Sequence, residues 1–203
     1  MEAIRQYAAL LGLNEKSGVE IAENAPQVSD SDPIRSAIGQ GSNSYTSVQI
    51  ARYVSAVANS GTVYQLTLLD HVADQQGNIL QQFEPKVRNT IEMPEKYWES
   101  IHKGMRMVVQ NKKYFNDLAV NVAGKTGTAQ QTTSRPSHAL FVCYAPYEKP
   151  EIAIATRIPF GYSSDYAAQV TKDVISYYYG LKDEEDIITG TANTPDAGIT
   201  NEW

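Results

Sequence analysis

A single cysteine, Cys143, among 203 residues excludes an intramolecular disulfide and a cysteine-built metal site. It sits in the apolar run Ala139-Leu-Phe-Val-Cys-Tyr-Ala145, the setting of a small buried hydrophobe rather than of a reactive thiol. The three histidines, His71, His102 and His138, share no metal-ligand spacing, so neither a metal nor another cofactor is expected. No apolar run approaches the ~18 residues of a membrane helix. The opening Met1-Glu-Ala-Ile-Arg-Gln lacks the apolar segment of a signal peptide. Net charge is small outside one region: of a net −6, most lies in residues 181–203, where six carboxylates face the single Lys182. The near-neutral remainder gives no electrostatic footprint for nucleic acid. The acidic stretch 181–203 reads as a solvated, disordered end.

What is present is patterned. Ile4, Tyr7, Ala8 and Leu11 recur at helical spacing, with Gly12 after them. That pattern begins at the first residues with no cap, as expected of a cut inside a larger domain. Asn14 to Pro33 is polar and reads as loop, with a short strand over Val19–Ala22. Gly39-Gln-Gly-Ser-Asn-Ser-Tyr-Thr46 reads as a flexible lead-in to a helix. There Thr46-Ser-Val-Gln49 forms a capping box, and Ile50, Ala51, Val54, Val57 and Ala58 share one face. Val63–Val72 and Ile79–Phe83 flank Asp74-Gln-Gln-Gly-Asn78, which predicts a hairpin. Pro94 opens a helix whose apolar face is Trp98, Ile101, Met105, Val108 and Val109. Three strand-like runs follow, about Val122–Thr132, Ala139–Ala145 and Ile152–Pro159, spaced for an antiparallel meander. Ala167, Val170, Val174, Tyr177 and Tyr178 then line a last helix that ends at Gly180. The fold class implied is α+β, an antiparallel sheet flanked by helices.

Chemistry concentrates in Val122-Ala-Gly-Lys-Thr-Gly-Thr-Ala-Gln130. On a strand, Lys125 and Gly127 point one way and Thr126 and Thr128 the other. The threonine hydroxyls suit a carboxylate, and Lys125 adds a potential that favours an anion. Gly127 leaves room for a ligand backbone. A strand N–H can face a developing oxyanion. The bland alternative is an edge strand with a solvated lysine. A phosphate-binding loop fits poorly. Gly124-Lys-Thr126 would need a glycine where Ala119 stands, and Gly127-Thr-Ala-Gln-Gln is a weak helix start.

The surroundings of this tetrad resemble the class B penicillin-binding proteins. Lys125-Thr-Gly127 matches one of the three motifs of active-site serine penicillin-recognising enzymes. Gly39-Gln-Gly41, Thr46-Ser-Val-Gln49-Ile-Ala-Arg52, Ala58-Asn-Ser-Gly-Thr62, Gly104-Met105 and Ser137-His-Ala139 are similar to the family in order. Ser47 and Cys143 depart from it, where proline and glycine are common. The resemblance covers most of residues 1–180 and implies the C-terminal part of a D,D-transpeptidase domain, a serine acyl-transfer enzyme of peptidoglycan cross-linking. It implies Lys125, Thr126, Gly127 and Thr128 as the substrate site, with the Thr128 N–H as an oxyanion donor. Its partners would be D-Ala-D-Ala stem peptides and β-lactams, and the missing upstream half of the domain. The setting would be extracytoplasmic, with an anchoring helix that this chain does not show. A serine β-lactamase and a non-catalytic muropeptide binder are the rival readings.

The nucleophile is the gap. Ser-x-Asn does not occur, and the one Ser-x-x-Lys, Ser100-Ile-His-Lys103, lies opposite the apolar face of its helix. It is read as coincidence, and the chain alone is expected to be inactive. His138, near the start of the next strand, is expected to be structural.

Overall fold

The computed structural model describes residues 1–188. Of the expected disordered end, Glu184–Ile187 is a short helix, and the part from residue 189 onward lies outside the described residues. The chain divides into two compact units, residues 1–94 and Glu95 onward.

The first unit contains α1 (Glu2–Leu10), α2 (Pro33–Ala37), α3 (Ser47–Ala58), β1 (Thr62–Gln65), β2 (His71–Ala73), β3 (Ile79–Gln82) and β4 (Lys86–Thr90). The capping box closes as expected: the Gln49 N–H donates to Thr46 Oγ1 at 3.3 Å and the Thr46 N–H to Gln49 Oε1 at 2.9 Å. Thr46 Oγ1 in turn donates to Glu23 at 3.0 Å, and Ser17 donates to the same carboxylate through its N–H and hydroxyl at 2.8 and 2.9 Å. Burial pushes the Glu23 carboxyl upward, but these bonds outweigh it and hold the group below its ordinary range.

Arg52, buried in α3, ties the unit together. Its guanidinium donates to the carbonyls of Glu15, Lys16 and Ser17 at 3.1–3.2 Å and to that of Gly12. Gly12 has φ +74, and a β-carbon there would stand 2.9 Å from the Arg52 guanidinium. Glycine is therefore required both by conformation and by space. The 39–46 lead-in is pinned rather than flexible. Ser29 Oγ lies 2.6 Å from Ser36 Oγ and accepts from the Ser42 N–H at 3.1 Å, while the Ser29 N–H donates to Asn43 at 2.9 Å.

The hairpin at Asp74–Asn78 forms between β2 and β3. The run from Val63 is not one strand, however. β1 stops at Gln65 and pairs with β4 in antiparallel register, Thr62 opposite Thr90. β4 was not foreseen because Lys86-Val-Arg-Asn-Thr90 is polar and mostly exposed. Val19–Ala22 forms no strand.

The second unit holds α4 (Glu95–Gln110), β5 (Ala123–Ala129), β6 (His138–Ala145), β7 (Ile152–Ile158), α5 (Ser164–Tyr178) and α6 (Glu184–Ile187). The three strands form the expected antiparallel meander in the order β5-β6-β7. Phe141, Cys143 and Ala139 of β6 meet Ala167, Ala168 and Ile175 of α5, with Val109, Phe115 and Val122 in the same core. Cys143 is fully buried, and burial pushes its thiol up to about 12, as befits a small core side chain.

The buried face of α5 differs from the expected one. Val170, Val174, Tyr177 and Tyr178 are exposed, and Ala167, Ala168, Thr171, Ile175 and Ser176 are buried. Small side chains let this helix approach the sheet closely. The Thr171 hydroxyl is satisfied by the Ala167 carbonyl and by Thr156 of β7, both at 2.7 Å. In α4, Trp98 and Val109 are buried as expected, while Ile101 stays exposed.

Candidate active site

β5 is an edge of the sheet, paired on one side with β6. Thr126 stands opposite Phe141 and Thr128 opposite Ala139, whereas Lys125 and Gly127 stand opposite Val142 and Leu140. Directly paired residues share a face, so the expected alternation of the four site residues is present. Lys125 and Thr128 are exposed, and Thr126 and Gly127 partly so. Lys125 Nζ donates to the Thr126 carbonyl at 2.9 Å, which holds the ammonium beside the strand.

The two glycines of the stretch are not equivalent. A β-carbon at Gly124 would lie 2.6 Å from Phe141 and 2.8 Å from the Val142 carbonyl oxygen. One at Gly127 would meet only Leu140, at 3.3 Å. Gly124 is demanded by packing, and sequence reasoning gave it no role. Gly127 is under a milder demand, a single tight contact with the Leu140 side chain.

Past Thr128 the strand runs into a cavity of about 300 Å³, lined by Thr128, Gln130, Arg135, Ser137, Tyr162 and Ser163, among others. Ser134-Arg-Pro136 belongs to the loop between β5 and β6. The composition of this wall, rich in hydroxyls with one cation, emerges only when the β5–β6 and β7–α5 loops are brought together.

His138 is what joins those loops. It is buried at the start of β6 and its Nδ1 accepts from the Phe160 N–H at 3.0 Å. The proton is then on Nε2, 3.2 Å from Gln131 Oε1. Burial, and then the nearby Arg157 guanidinium, lower its pKa from the ordinary histidine value. The ring also packs against Phe160, tilted at 40° with the centroids 4.7 Å apart. This is the expected structural role.

Ser100 and Lys103 are exposed on α4, and Ser100 Oγ donates to the Lys96 carbonyl at 2.7 Å. That is a helical back-bond, not a nucleophile paired with a base. Among the described residues no helix is long and apolar enough to cross a membrane.

The penicillin binding protein transpeptidase domain matches residues 1–176. Penicillin-binding protein 2A of Bacillus subtilis (strain 168) is 28% identical over 212 residues, covering 91% of this chain and 30% of that protein. The peptidoglycan D,D-transpeptidase MrdA of Haemophilus influenzae is 30% identical over 169 residues, covering 72% and 26%. The solved structure of penicillin-binding protein 2B from Streptococcus pneumoniae (strain R6) superposes with a TM-score of 0.76 at 23% identity, covering 87% of this chain and 32% of that one. The chain thus spans less than a third of the length of these relatives.

Proposed function

The chain belongs to the penicillin-binding-protein transpeptidase family, and from that premise we propose that it supplies the substrate strand of a D,D-transpeptidase. Lys125, Thr126 and Thr128 hold the terminal carboxylate of a D-Ala-D-Ala stem peptide, or the carboxylate of a β-lactam that imitates it. Gly127 admits the ligand backbone, and the Thr128 N–H faces the oxyanion. The observation that carries this reading is an edge strand that exposes Lys125 and Thr128 and whose Thr128 borders a polar cavity.

The reaction has two steps. A serine hydroxyl attacks the carbonyl of the penultimate D-Ala, its proton passes to a base, and terminal D-Ala leaves with a proton. An amine of a second stem then attacks the ester, restoring the serine and forming the cross-link. The oxyanion donor acts on both tetrahedral intermediates. The serine and its lysine belong to the part of the protein that the relatives have and residues 1–203 do not span. On this reading residues 1–180 are one portion of the transpeptidase domain and do not turn over alone. The acceptor and donor are peptidoglycan, so the working protein faces the cell wall, held at the membrane by a segment outside this chain.

Intact mass after incubation with a β-lactam tests this. The full-length protein is expected to gain one covalent adduct and the 203-residue chain none. Acylation of the short chain would redirect attention to Ser100. No adduct on either would remove the carboxylate-site reading and favour non-catalytic muropeptide binding.

A further inference from the structure

We infer that Arg135 and the cavity beside Thr128 form a second carboxylate-binding site, which recognises an acidic side chain on the acyl donor. The inference rests on the reading of Lys125–Thr128 as the site of the donor's terminal carboxylate. From Thr126 to its end at Ala129 the strand rises roughly 10 Å, so a donor extended along it reaches the cavity about two to three residues ahead of its own C-terminus.

The chemistry of the wall selects the ligand. Thr133, Ser134, Ser137, Ser163 and Ser164 offer hydroxyls, Arg135 offers a guanidinium, and the lining contains no aspartate or glutamate among the described residues. A cavity of this kind attracts an anion and has no carboxylate of its own to neutralise the arginine. Arg135 also makes no ion pair among the described residues.

Arg135 is placed rather than loose. Its guanidinium carbon lies 5.1 Å from the centre of the Phe160 ring. Phe160 in turn has φ 55 and is fixed by its N–H bond to the buried His138. The contacts therefore run from β6 through His138 and Phe160 to the guanidinium. A guanidinium held over a ring by a cation–π contact keeps N–H groups for a bidentate partner, and that fork fits a carboxylate better than a neutral amide. Phe160 is a positioning residue for this site and His138 supports it.

The test uses the full-length protein and two β-lactams that share a nucleus. They differ only at the end of the acylamino side chain, which is a carboxylate in one and a primary carboxamide in the other. The second-order acylation rate constant is expected to be about three- to tenfold higher for the carboxylate, the range of a partly exposed charge-assisted pair. Arg135→Gln is expected to bring the ratio of the two rates to about one, Arg135→Lys to keep part of the preference, and Phe160→Leu to reduce it. Lys125→Gln is expected to slow both compounds while leaving their ratio intact. Equal rates in the wild type, or a preference that survives Arg135→Gln, would overturn the second site while the first reading stands. Lys125→Gln without effect on either compound would overturn the first, and the ratio would still decide the second.

Discussion

The two units solve the same problem with different materials. The second has an apolar core: Phe141, Cys143 and Ala139 of one central strand lie against Ala167, Ala168 and Ile175 of one helix. The first has few large buried side chains and is cross-linked by polar ones, with Arg52 reaching four loop carbonyls and Glu23 gathering Ser17 and Thr46. An apolar core resists single losses by repacking only in part, because neighbours cannot fill the void. A polar hub has a different weakness. Removing one donor leaves several acceptors without partners.

That contrast can be broken at its strongest point first. Phe141→Ala is expected to destabilise the second unit by about 3–5 kcal/mol, read as a lowered urea midpoint with faster hydrogen exchange across β5 to β7. Arg52→Met keeps a long side chain but strips the donors, and is expected to cost about 2–4 kcal/mol. Its hydrogen-exchange effect is expected in residues 12–17 and α3. Equal exposure in β6 would show that the two units do not open separately. Thr46→Ala removes the cap of α3 and is expected to cost about 1 kcal/mol, measured by the same denaturation.

The smallest expected effect is on pH dependence. Glu23 has a depressed folded-state pKa, so its stabilising contribution is present above the ordinary glutamate range and is lost as pH falls through the lowered value. Glu23→Gln is expected to flatten the acid limb of the stability profile of the first unit. An unchanged acid limb would remove Glu23 from the hub.

Legibility in the sequence followed the same division. β6 could be read because a buried strand is written as an apolar run, and the capping box at Thr46 because it is local. Lys125–Thr128 were legible as a motif, and their alternation followed from strand geometry. The Arg52 hub was not, since its partners are backbone carbonyls that carry no side-chain signature. The face of α5 was misread because periodicity follows large apolar residues. Here the close approach to the sheet selects alanine and threonine and leaves Val170, Val174 and Tyr177 outside. The Arg135 cavity was hidden for a third reason: its wall comes from two loops, residues 130–137 and 162–164, that are separated in sequence by β6 and β7.

Gly124 and Phe141 meet so closely that the strand's position is set from beneath. The alignment of Lys125 and Thr126 is therefore inherited from a contact inside the core. A substitution at Phe141 or Cys143 would act on the exposed part of β5 while leaving its own sequence as it was. The strand's surface does not display the residues that set its position.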